Sequence, residues 1–362
     1  MKYFYISLMM FLIIHLFSGC RQLYASEVQD AVAQYQFFLD HKNKSDLEAI
    51  HELKNSAESG YEKAEFELGM VYALGEYGIS QDYKKSFYWF SRSAEKNNAK
   101  AQLALGSYYL NGDGVQVNIE KALFWLLKSA NQGNASAQYN IGALYLNGNG
   151  VDKDYNKAKE WLLKSSQQNN AKAQYNLGLM YLKGLGVEKN DSEAFNWILK
   201  AAERDNISAI YNVGVYYMKG IGVEKNFKLA KKWYLKGIEK KDANSAYNLG
   251  VMSFYGLGEN INYSEAAKWF QIASEQDNIE AKYNLGMMYL KGTGVKENSE
   301  KAFTLISRAA QQGNPDAQFI LGMMYYHGEG VIKDSKMTSF WLKQSAEQGN
   351  IQAKDALNEL EK

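Results

Sequence analysis

One cysteine, one proline and four histidines in 362 residues exclude several classes of protein at once. A single cysteine permits no disulfide within the chain, and so few cysteines and histidines rule out most metal frameworks. A lone proline leaves long helical stretches unbroken. Net charge is scarce as well. The 41 basic side chains face 40 acidic ones, a formal balance of +1, so no strong field draws in nucleic acid or an anionic surface. Long apolar runs are confined to the start. Lys2 precedes an apolar stretch from Tyr3 to Phe17, interrupted by Ser7 and His15. It is short for a transmembrane helix and has the layout of a secretory signal.

Aromatic residues, by contrast, are abundant, and they lie on a ruler. Trp89, Trp125, Trp161, Trp197, Trp233 and Trp269 follow one another at intervals of 36; Leu305 takes the next slot and Trp341 the one after. A fixed interval of this length is the signature of stacked supersecondary units. Gly69, Gly106, Gly142, Gly178, Gly214, Gly250, Gly286 and Gly322 form a second column, with one extra residue in the first interval around Gly75–Gly78. Tyr72, Tyr109, Tyr145, Tyr181, Tyr217, Tyr289 and Tyr325 form a third, broken by Ser253.

Within one unit, Ala137, Ile141, Leu144 and Tyr145 share a helical stripe, which predicts a helix A. Gly142 in its middle costs about 1 kcal/mol relative to alanine, so its repetition predicts a helix passing too close for a side chain. Paired glycines such as Gly148 and Gly150 end helix A. With no preceding strand and no lysine to complete a phosphate loop, they read as turn geometry. The Asp/Asn column Asp82, Asn118, Asp154, Asn190, Asn226, Asn262, Asn298 and Asp334 predicts the N-caps of a helix B. Asn97, Gly133, Asn169, Asp205, Lys241, Asp277, Gly313 and Gly349 predict left-handed ends, with Lys241 the poorest fit. The tryptophans then read as the core between helices, not as a ligand box. The predicted fold is all-α, a right-handed α/α superhelical solenoid of eight helix–loop–helix repeats with helical caps.

The run Ala173-Gln174-Tyr175-Asn176-Leu177-Gly178, followed by Tyr181, Gly184, Gly186, Val187, Ala194, Trp197, Ala201-Ala202 and Asn206, resembles the SEL-one-like repeat (SLR) family. These are tetratricopeptide-like α/α repeats of 36 residues. The resemblance implies eight repeats over 64–350 and a scaffold that binds other proteins, without saying which. A cysteine-rich branch of that family is associated with penicillin binding and weak β-lactamase activity, but its cysteines are absent here. Ser93-Ala94-Glu95-Lys96 is formally a Ser-x-x-Lys, yet nothing accompanies it.

The domain reading places a lipoprotein-type signal peptide at 1–25, an N-terminal helical cap at 26–63, the repeats at 64–350 and a capping helix at 351–362. Leu16-Phe17-Ser18-Gly19-Cys20 resembles a bacterial lipobox, apart from Phe17, and would make Cys20 the lipidated N-terminus. The alternative is cleavage after Ala25. Expected localisation is the periplasm, tethered to the outer or inner membrane.

If the A helices line the concave face as in tetratricopeptide solenoids, the residue three before each glycine faces a groove. That gives a tyrosine ladder of Tyr139, Tyr175, Tyr211, Tyr247 and Tyr283, rigid amphipathic contacts suited to an interface. Beside it runs an asparagine ladder, Asn140, Asn176, Asn212, Asn248 and Asn284, able to hydrogen-bond a peptide backbone. The end of helix A carries Asn147, Lys183, Lys219, Tyr255, Lys291 and His327, where Lys183, Lys219 and Lys291 give a positive rim. The expected function is non-catalytic protein or extended-peptide binding by a monomer, with no cofactor, metal or nucleic acid. Membrane contact is expected only through the anchor. Alternatives are an immunity protein or inhibitor of a delivered effector or cell-wall enzyme, and, further off, a β-lactamase-like or glycan-binding activity using Glu280 and Asp316.

Overall fold

The computed structural model describes residues 28–42 and 47–360. The signal segment, Cys20 and the alternative cut after Ala25 lie outside them. Every regular element among the described residues is helical. The chain divides into two compact units, Met1–Ala173 and Gln174–Lys362. The first holds α1 (28–41), α2 (Leu47–Glu58), α3 (Glu62–Leu74), α4 (Tyr83–Glu95), α5 (Ala99–Asn111), α6 (Ile119–Asn131), α7 (Ala135–Asn147) and α8 (Tyr155–Gln167). The division falls inside α9 (Ala171–Lys183). The second holds α10 (Asp191–Glu203), α11 (Ile207–Lys219), α12 (Phe227–Glu239), α13 (Ala243–Tyr255), α14 (Tyr263–Glu275), α15 (Ile279–Lys291), α16 (Ser299–Gln311), α17 (Pro315–His327), α18 (Ser335–Glu347) and α19 (Ile351–Leu360). From α3 to α18 the odd helices are A and the even helices are B, an all-α solenoid of eight repeats.

The ends of these helices are set by short polar side chains. Each predicted B-helix cap, from Asp82 and Asn118 to Asn298 and Asp334, accepts a hydrogen bond from a first-turn amide. A second cap column went unread in the sequence. Asn98, Asn134, Asn170, Asn206, Asp242, Asn278, Asn314 and Asn350 cap the A helices from α5 to α17, and α19, in the same way; α3 begins after Tyr61, which makes no such bond. They directly follow the left-handed column, in which Asn97, Asn169, Asp205, Lys241 and Asp277 all take positive φ, Lys241 at 60°.

Steric closeness explains the mid-helix glycines. A Cβ on Gly142 would lie 2.7 Å from Leu162 Cγ in α8. Phe90, Leu126, Ile198, Tyr234, Phe270, Ile306 and Leu342 fill the same place opposite the other glycines. These residues, one position after the tryptophans, are the buried centre of each repeat.

That observation corrects the reading of the tryptophans. Only Trp89, 9% exposed, belongs to the buried core. Trp125, Trp161, Trp233, Trp269 and Trp341 lie half-buried on the edges of core clusters. The side chain that meets the glycine is the one after the tryptophan, an aliphatic group in most repeats and the ring of Phe90, Tyr234 or Phe270 in the others, so the indole lies to one side of the A–B contact. The exposed side of the ring is covered by a cation one turn later: Lys128 over Trp125, Lys164 over Trp161, Lys200 over Trp197 and Lys236 over Trp233. Each such contact is worth about 0.5–1 kcal/mol at an exposed site.

At the N-terminal end, α1 buries Ala31 and Phe38, while its Val28 and Val32 are exposed. Ser56 Oγ in α2 donates to the Ala31 carbonyl. Buried Glu65 in α3 pairs with Arg92 Nε at 2.9 Å and Lys96 Nζ at 2.8 Å. In α5, α7 and α17 that column is glutamine, whose amide donates to the carbonyl of Ala94, Ala130 or Ala310.

Candidate functional site

The five tyrosines of the predicted ladder are half-buried, not exposed. Tyr247 tilts against Phe270 with ring centroids 5.8 Å apart, and Tyr211 against Tyr234 at 6.2 Å. One edge of these rings is therefore core. Burial holds the hydroxyls of Tyr175, Tyr247 and Tyr283 above the usual phenol range.

The asparagines hold the tyrosines in place. Asn212 Nδ2 donates to Tyr175 Oη at 3.1 Å, and Asn284 lines the same cavity as Tyr247. Asn248 is buried and donates to the Asn244 carbonyl. Asn140 and Asn176 are half-buried on α7 and α9. The two predicted ladders are thus partly one structural network, with Asn212 and Asn248 engaged inside the chain.

In the second unit, α13 and α15 enclose a cavity of about 300 Å³. Val251, Phe254, Tyr255, Met287 and Met288 give it apolar and aromatic walls; Tyr247 and Asn284 lie at one side; Lys291 and Thr293 close the other. It brings together one member of each predicted column: Tyr247, Asn284 and Lys291. Tyr255 is 66% exposed. Its ring meets Phe254 edge-on at 5.1 Å, and Phe254 in turn meets Tyr263 at 5.0 Å. Lys291 is exposed at the last turn of α15, as Lys183 and Lys219 are on α9 and α11. No acidic side chain lines the cavity. An apolar floor beside an ammonium suits a partner's apolar side chain flanked by a carboxylate.

The first unit has a cavity at the equivalent register, four repeats earlier. About 350 Å³ between α5 and α7 is lined by Ser107, Leu110, Asn111, Tyr139, Asn140, Ala143, Leu144, Asn147 and Asn149. Asn140 corresponds to Asn284. Every other shared position differs: Ser107, Leu110, Asn111, Ala143, Leu144, Asn147 and Asn149 stand where the second unit has Val251, Phe254, Tyr255, Met287, Met288, Lys291 and Thr293.

The remaining sequence candidates do other work. Ser93 Oγ donates to the Glu62 carbonyl at 2.7 Å, as Ser129, Ser165 and Ser345 do to Ala99, Ala135 and Pro315. Lys96 is held by Glu65 and the Gly60 carbonyl. Glu280 is exposed, and Asp316 accepts from Asn350 at 3.1 Å. Among the described residues no group of three His, Cys, Asp or Glu is placed to hold a metal ion, and no helix is long and apolar enough to cross a membrane.

Comparison with known proteins gives the same frame. The Sel1 repeat model matches at 62–98, 99–134, 135–170, 171–206, 207–242, 243–278, 279–314 and 315–350. A Sel1 repeat protein from Oxalobacter formigenes is 31% identical over 86% of this chain and 90% of its own, with a TM-score of 0.67. The structure of c5321, a protective antigen of uropathogenic Escherichia coli displaying an SLR fold, is 29% identical. It covers 95% of this chain and 82% of that one, with a TM-score of 0.70. Chitin synthase regulatory factor 3 of Schizosaccharomyces pombe is 37% identical over 59 residues, 16% of this chain and 6% of that protein. The chain thus spans a small part of that curated relative.

Proposed function

Because the chain belongs to the Sel1 repeat family, we propose that it is a non-catalytic interaction protein whose partner docks on the A-helix side of the second unit, at the cavity between α13 and α15. The observation that carries this reading is the change in lining at one register. The first unit presents mainly asparagine and small residues there, whereas the second presents Phe254, Tyr255, Met287, Met288 and Lys291. Aromatic residues and methionine concentrate at interfaces because they offer large contact area at low ordering cost, and methionine adapts to the shape it meets. Tyr255, Met287 and Lys291 serve as the anchors. The tyrosine–asparagine pairs of neighbouring A helices hold the groove's shape.

Lys2 with the apolar run to Phe17, and the small residues before Cys20, support export and a lipid tether at Cys20. In that setting the protein is an envelope scaffold or adaptor. An immunity or inhibitor role uses the same site on a different partner.

The test is affinity capture from envelope extract, with the chain beside a Tyr255→Asn, Met287→Ala, Lys291→Asn variant that copies the first unit's lining. Circular dichroism checks that both are folded. A partner captured by the first and lost by the folded variant supports the assignment; a partner held equally by both moves the site elsewhere. A secreted effector or cell-wall enzyme among the captured partners selects the inhibitor role over the scaffold.

A further inference from the structure

On the B-helix side of the second unit the repeat fails in two columns at one junction, beside a small residue. Ala267 lies in a column that varies along the chain, with Phe87, Phe195 and Phe303 in some repeats and Lys159, Lys231 and Ser339 in others. Ile272 stands where Lys128, Lys164, Lys200 and Lys236 cover their own tryptophans. Leu305 occupies the tryptophan slot. All three line a trough of about 1080 Å³ between α14 and α16, floored by Leu285, Tyr289 and Val295. A second opening of about 560 Å³ at Trp269 shares Ser264, Lys268 and Ile272 with it, so the two run together. Ile272 leaves the Trp269 ring without the covering cation of its counterparts, and Trp269 Nε1 donates to Glu265 at 3.3 Å.

The other repeats show what shape this space accepts. Trp233 and Trp341 each lie against a cluster made by the preceding B helix and the A helix of their own repeat. Leu305 takes the same place against α14 and α15, with an isobutyl group instead of an indole. The size exceeds one ring, since cavities of ~300–1,000 Å³ hold drug-sized ligands. Lys268 and Lys301 on the rim are matched by Glu275 and Glu300, so shape rather than charge selects the occupant.

We propose that this trough is a second binding site, which takes an extended peptide segment of a partner protein and seats a tryptophan side chain in the Leu305 slot. The site is independent of the one between α13 and α15. Its cause is a gap in the repeat rather than a change in groove lining.

The test uses the full chain and the peptide acetyl-Gly-Gly-Trp-Gly-Gly-amide, with its leucine counterpart as control, read by ligand-observed NMR. Leu305→Trp fills the slot from α16, and Ala267→Phe closes the trough from α14 should the first variant fold poorly. The expected result is binding of the tryptophan peptide, at least about fivefold weaker binding of the leucine peptide, and about tenfold weaker binding to either variant. Leu305→Trp should also raise Tm, because the chain then supplies its own indole. Failure of the native protein to bind the tryptophan peptide, or equal binding by both variants, overturns the proposal. Free indole binding as tightly as the peptide overturns the assignment to a peptide segment. The Tyr255→Asn, Met287→Ala, Lys291→Asn variant should bind the tryptophan peptide as the native chain does, which separates this site from the first.

Discussion

The cavity between α5 and α7 and the cavity between α13 and α15 are built at the same register of the same repeat, yet only one of the equivalent wall positions keeps its residue. Asn140 and Asn284 coincide; around them Ser107, Asn111, Ala143 and Asn147 face Val251, Tyr255, Met287 and Lys291. The backbone at both places follows from the same caps, glycines and small residues. What differs is the side chains that neither capping nor A–B packing requires. A repeat protein can therefore hold its fold constant while one stretch of its surface changes character.

The largest effect is expected from the Tyr255→Asn, Met287→Ala, Lys291→Asn exchange, which should cost partner affinity about 100-fold, or about 2.7 kcal/mol, in a titration with the captured partner. The reciprocal exchange in the first unit, Asn111→Tyr, Ala143→Met and Asn147→Lys, should create measurable binding of the same partner. Fold and surface separate at Gly142. Changing it to alanine should improve intrinsic helix propensity and still destabilise the protein by about 1–3 kcal/mol, because Leu162 leaves no room. Denaturant unfolding reads this, and a stabilised variant would contradict the packing account. Lys291→Asn alone should weaken binding about tenfold, more at low salt than at high salt.

Smaller still is the response to acid. The backbone amide of Lys85 donating to Asp82, and that of Lys157 donating to Asp154, hold these two carboxyls below the usual range. The folded state then binds fewer protons, so these caps stabilise above the ordinary carboxylate range and lose that contribution as pH falls through their lowered values. The caps of α10, α12, α14 and α16 are asparagines and do not titrate. Hydrogen exchange at about pH 3 against pH 7 should show α4 and α8 fraying more than those four helices. Asp82→Asn with Asp154→Asn should remove the difference.

Much of this molecule was readable from spacing. The B-helix caps, the left-handed ends and the crowded glycines each repeat eight times, and each is a local backbone requirement that one residue type meets. The A-helix cap column was missed because Asn98 and its equivalents sit directly after the left-handed column and merge with it as one polar turn. The tryptophans were placed too deep because spacing shows which residues are equivalent without showing which of two neighbours touches the opposing helix. Leu162, not Trp161, is the one that faces Gly142. The ladders were read as free for a partner, but the Asn212–Tyr175 bond lies between residues 37 apart in sequence, beyond any helical period. Among the residues of the α13–α15 cavity, Tyr255 was visible as a break in pattern. Met287 was not, since one apolar residue in place of Ala143 leaves the helical stripe unchanged.

Whether the proposed partner surface lies on the second unit is decided by a peptide-display selection on the intact protein. Peptides would be enriched on the native chain and counter-screened on the Tyr255→Asn, Met287→Ala, Lys291→Asn variant. Expected are sequences with a large apolar residue next to aspartate or glutamate, bound by the native chain and lost from the folded variant. Peptides without that pairing, or retained equally by the variant, would contradict it.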